Sequence, residues 1–94
     1  FEAADRAIYP ALALADRALA GPDGTSVVMN AANEVAVEAF LGGTIRFDGI
    51  LKAVSRTVDS VVPATGSTAS LDALLALDAE ARAAARAQLG ALAR

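Results

Sequence analysis

The chain contains no cysteine, no histidine and no tryptophan, and aromatic residues make up 4% of it. Without cysteine there are no disulfides and no thiolate nucleophiles, and without histidine there is no imidazole base and none of the commonest zinc ligand. Catalysis would fall to carboxylates and hydroxyls. Thr25, Ser26, Ser55 and Ser60 lack a neighbouring lysine in a nucleophile motif, so they read as caps, turns and surface. Basic residues are also few: the eight Lys and Arg are scattered against eleven Asp and Glu, for a formal charge of −3. A phosphate backbone needs clustered cations, so no nucleic-acid partner is expected. Lys52, the only lysine, reads as a solvated side chain. No apolar run approaches the ~20 residues that cross a bilayer, and no basic start with a hydrophobic core and cleavage site opens the chain. The expectation is no membrane partner and a cytoplasmic location. Neither Gly21-Pro22-Asp23-Gly24 nor Gly42-Gly43 has the third glycine or the Lys-Ser/Thr ending of a phosphate loop, so no nucleotide site is read here.

What is present is alanine. Apolar residues are 55% of the 94, and alanine, the strongest helix former and the smallest apolar side chain, dominates them. The reading is one all-α domain over residues 1–94, a small four-helix bundle-like unit with short links. Phe1 in place of methionine makes the chain read as a segment entered from a longer protein. Pro10 suits a first helical turn, and Ile8, Leu12, Ala15 and Leu19 repeat at helical spacing up to the stop signal Gly21-Pro22-Asp23-Gly24. After an apolar link at Val27 to Met29, Asn30 is the expected cap of a second helix, with Ala32, Val35, Ala36, Ala39 and Phe40 on its inner face and Gly42-Gly43 as its C-cap. Ile45 and Phe47 are expected to tuck under a third helix, capped by Asp48, lined by Ile50, Leu51, Val54, Val58, Val61 and Val62, and stopped by Pro63. Ser70 caps the fourth, where Asp72 meets the positive end of the dipole. Leu74, Leu77, Ala81, Ala84, Ala85, Gln88 and Leu92 form its stripe, and Asp78 and Arg82 an i,i+4 ion pair.

The stretch with most chemistry is Asn30-Ala31-Ala32-Asn33-Glu34, where two asparagines open an apolar helix. Capping accounts for Asn30. Asn33, next to the Val37 and Leu41 positions, is expected to be at least partly buried, and a buried amide without partners costs about 1–3 kcal/mol. A structural hydrogen bond explains it more simply than a ligand. Glu34 and Glu38, four residues apart, share a face and could meet a hard cation, but without further oxygen ligands the pair reads as a solvated helix face.

The string NAANEVAVEAFL at residues 30–41 resembles the C-terminal domain of 1-deoxy-D-xylulose 5-phosphate reductoisomerases, where an Asn-Ala-Ala-Asn-Glu start leads into an apolar helix ending in Ala-Phe-Leu. Tyr9-Pro10-Ala11-Leu12-Ala13-Leu14-Ala15 is similar to that family's aromatic-Pro-x-Leu-x-Leu-Ala helix. Ile45-Arg46-Phe47 with Ile50, and residues 74–82 (LLALDAEAR), match its later motifs in order. The loop at residues 63–69 carries no family signal. The resemblance implies an enzyme that rearranges and reduces 1-deoxy-D-xylulose 5-phosphate to 2-C-methyl-D-erythritol 4-phosphate with NADPH and a divalent cation, Mg or Mn, in the non-mevalonate isoprenoid pathway. It further implies a homodimer whose NADPH-binding and catalytic domains precede this one. No catalytic, cofactor-binding or metal-ligating residue of that family maps onto this chain. The implied role is non-catalytic packing on the catalytic domain of the same enzyme, with Asn30, Asn33 and Glu34 as the candidate interdomain contact.

Two other classes of function compete. A carrier domain would need Ser60 of Asp59-Ser60-Val61 to begin a helix, whereas it falls near the end of one. A free-standing adaptor would bind partner helices through an apolar groove between its own.

Overall fold

The computed structural model of the chain describes residues 23–64, 66 and 68–93. The helix expected over residues 8–19 lies outside them. The described part is all-α, with three helices: α1 (Thr25–Leu41), α2 (Phe47–Ser60) and α3 (Leu71–Leu92). Each packs on the other two.

Helix α1 begins earlier than Asn30. Gly24 is its N-cap at φ 97°, a left-handed backbone that suits glycine, and the Gly24 carbonyl accepts the amides of Val27 at 3.0 Å and Val28 at 3.1 Å. The apolar link is therefore helix, and Asn30 is an interior, exposed position rather than a cap. The physical reason is burial: Val28, Ala31, Ala32, Val35 and Ala36 form one continuous core face, and Val28 joins it because the helix starts ahead of it, at Thr25. At the other end Gly43 takes φ 80°, its amide donates to the Phe40 carbonyl at 3.0 Å, and that of Thr44 donates to Ala39 at 2.9 Å. This is the paired closure that a left-handed glycine permits, as the Gly42-Gly43 stop predicts.

Ile45 is fully buried and pairs in an isolated antiparallel bridge with Ala93, which ties the α1–α2 link to the end of α3. Phe47 departs from expectation. It is 67% exposed, its ring lying edge-on to Phe40 with centroids 5.6 Å apart. Asp48 does not cap α2: Arg46 is the N-cap without a side-chain bond, and Asp48 sits in the first turn, 3.7 Å from Lys52. Gly49 is buried against Ile45, where an added Cβ would come within 3.3 Å of the Ile45 Cβ. Val54, Val58 and Val61 enter the core, and Ile50 and Leu51 lie at its edge. Val62 does not: the backbone leaves the helix after Ser60, and Val62 turns out to solvent. The buried Thr57 hydroxyl is satisfied by donating to the Ala53 carbonyl at 2.7 Å.

Helix α3 follows the sequence closely. Ser70 Oγ accepts the Ala73 amide at 3.1 Å, and Asp72 lies in the first turn. Leu77, Ala81 and Ala85, spaced by four, are its buried seam, flanked by half-buried Leu74, Ala84, Gln88 and Leu92. Small residues along the seam let α3 approach its neighbours closely.

Candidate functional site

Starting α1 at Thr25 puts Ser26, Met29, Asn30 and Asn33 at i, i+3, i+4 and i+7, along one face of the helix beside the core, with Met29 packed against the core's edge. Helix α2 sets Leu51 and Val54 opposite them. Together these six residues line an open trough of about 550 Å³. Its floor is apolar, with Val54 buried and Met29 and Leu51 half-buried, while Ser26, Asn30 and Asn33 stand exposed on its rim.

Asn33 thus differs from the expected half-buried amide. The positions read as its cover do not supply one, since Val37 is only half-buried and Leu41 is 77% exposed. The core face runs through Ala32 and Ala36, one residue round the helix from Asn33 and Val37.

Glu34 points elsewhere. Its Oε2 accepts from Arg82 Nη2 at 2.5 Å, and Arg82 Nε donates to Asp78 Oδ2 at 2.7 Å, so one guanidinium fastens α1 to α3. The bonds from Asp78 and then Glu34 hold the Arg82 charge well above the ordinary arginine range. The Asp78–Arg82 pair was legible from i,i+4 spacing; Glu34, 48 positions from Arg82, was not. The asparagines and Glu34 are therefore neighbours in sequence with different surroundings, the former lining the trough and the latter bonded across the helix pair.

The residues do not fit a resident cation. One Glu34 oxygen is taken by Arg82, and among the described residues no three acidic side chains gather as a ligand set. Nor do they fit NADPH, because the polar groups in the trough are an alcohol and two amides, with no cation to meet phosphate. Ser60 closes α2, donating to the Thr57 carbonyl at 3.2 Å, a position opposite to the helix start that a carrier serine needs. No helix among the described residues is long and apolar enough to cross a membrane.

Comparison with known sequences decides the family. The profile of the DXP reductoisomerase C-terminal domain matches residues 1–84. The chain belongs to this family. It is 48% identical over 93 residues to the 1-deoxy-D-xylulose 5-phosphate reductoisomerase of Cupriavidus metallidurans, covering 99% of this chain and 23% of that enzyme. It is 47% identical to the reductoisomerase of Geobacter metallireducens over 96% of the chain and 23% of the relative. To that of Zymomonas mobilis it is 46% identical, over 98% and 23%. The chain therefore spans about a quarter of the length of the curated relatives it matches. No solved structure matches it.

Within this DXP reductoisomerase C-terminal domain, the sequence pattern singled out both asparagines but not Ser26, Met29, Leu51 and Val54, which line the same trough. The signal was there: the i, i+3, i+4, i+7 stripe appears as soon as the helix is extended back to Thr25.

Proposed function

We propose that residues 1–94 act as the C-terminal supporting domain of a 1-deoxy-D-xylulose 5-phosphate reductoisomerase. That enzyme converts 1-deoxy-D-xylulose 5-phosphate to 2-C-methyl-D-erythritol 4-phosphate in non-mevalonate isoprenoid biosynthesis, as a cytoplasmic homodimer. NADPH and the divalent cation supply hydride and Lewis acidity there and are held by the other domains. This chain packs on the catalytic domain and fixes the wall of its cleft, since an active site displaced by ~1 Å loses much of its rate. The observation that carries the reading is a match that takes in nearly all of this chain and only 23% of the relative. Asn30, Asn33 and Glu34 are the candidate contact; Asn30 and Asn33 are exposed in the chain, which leaves their amides available to a neighbouring domain.

The test is NADPH oxidation with 1-deoxy-D-xylulose 5-phosphate and magnesium, run on the full-length gene product and on the 94-residue chain. Activity in the long form alone is expected. Inactivity of a folded long form would remove the reading. Asn33→Leu in the long form lowers its stability or activity; unchanged values for both would exclude Asn33 from the contact. The adaptor reading draws on exposed Leu41, Leu71 and Leu75, and it gains ground if both forms are inactive.

A further inference from the structure

The α1–α2 trough pairs an apolar floor with a rim that carries no charge. An asparagine amide offers two donors and an acceptor. Two of them, Asn30 and Asn33, about one turn apart beside Met29 and Leu51, match a main-chain segment that presents N–H and C=O groups while sinking an apolar side chain between the helices. A segment with a charged tip would find no partner on this rim and would lose its hydration. Glu34, engaged by Arg82, is not among the residues that line the trough, and its place in the wider domain contact is separate from this seat. The supply of such a segment follows from the reading above, on which this inference rests: the matched region is 23% of the Cupriavidus metallidurans enzyme, and the greater part of such a polypeptide lies beyond it. We infer that the trough seats a segment from the remaining polypeptide of the reductoisomerase, an apolar side chain resting on Met29, Leu51 and Val54 and its main chain paired with the Asn30 and Asn33 amides.

The chain carries its own reporter, because Met29 is its only methionine. Peroxide transfers one oxygen to the thioether, giving the sulfoxide and water, at a rate that follows access to sulfur. Met29 oxidation is measured by peptide mass mapping in the 94-residue chain and in the full-length enzyme that contains it. The seated segment slows oxidation in the long form on the order of tenfold or more. Asn33→Arg, at an exposed helical position, leaves the melting temperature of the 94-residue chain unchanged while returning the long form's oxidation rate toward that of the chain. Equal rates in the two forms overturn the inference. If both are fast, nothing occupies the trough; if both are slow, its occupant is another part of this chain or a second copy, which dilution distinguishes. The same preparations are assayed for NADPH oxidation. An active enzyme with unprotected Met29 removes the docking and keeps the function; a folded, inactive enzyme with protected Met29 does the reverse.

Discussion

At the start of α3, Ser70 accepts the Ala73 amide with its hydroxyl, filling one of the donors that a helix leaves open at its first turn. Ser70→Ala removes that acceptor and should cost about 1 kcal/mol, while Ser70→Asp keeps it and adds a favourable charge at the helix N-terminus. Urea unfolding of the 94-residue chain checks this, and equal midpoints for Ser70→Ala and the parent would show that water serves the amide as well. Caps were unevenly legible. Ser70 is the hydroxyl that directly precedes a long apolar pattern, so its role followed from its position. Asn30 and Asp48 have equally good capping side chains but lie within helices whose starts are set by burial of Val28 and by the Ile45 anchor. Side-chain preference at a single residue yielded to packing at both.

Between elements, the link that local pattern could not reveal is the one from α1 to α3. Periodicity gave α3 its buried seam and the Asp78–Arg82 pair, because both are spacings of four within one helix. The Glu34 contact depends on how the two helices are placed against each other. Arg82 and its partners are partly exposed, with 30% of the Arg82 side chain and 54% of Glu34 accessible, so salt should screen them. A double-mutant cycle of Glu34→Gln and Arg82→Gln is expected to show a favourable coupling at low ionic strength that declines as salt is raised. A coupling of zero at low salt would mean that helix packing alone sets the α1–α3 register. Phe47 and Val62 teach a related lesson: each is a large apolar residue that falls where the backbone enters or leaves α2, so its direction depends on the exact turn. Hydropathy does not report that turn.

At the scale of the whole molecule, the all-α class followed from alanine content, and the same alanine makes the core of the three described helices thin. Six of its thirteen buried apolar residues are alanines (Ala31, Ala32, Ala36, Ala53, Ala81 and Ala85), and an alanine contributes little more than one methyl group to burial. Close approach of the helices recovers contact energy, but few large side chains meet: Ile45 and Leu77 with five valines. The stripe of Ile8, Leu12 and Leu19 would add three large side chains, each worth about 1.5–3 kcal/mol when buried. A chain shortened to residues 23–94 should therefore lose at least about 4.5 kcal/mol relative to residues 1–94 if that stripe packs on α1 to α3. Urea unfolding followed by circular dichroism measures the difference. A large loss would mean that the domain needs its first segment before it can support anything else. Equal stability would mean instead that the three helices are self-sufficient and that the stripe at Ile8, Leu12 and Leu19 serves a surface beyond them.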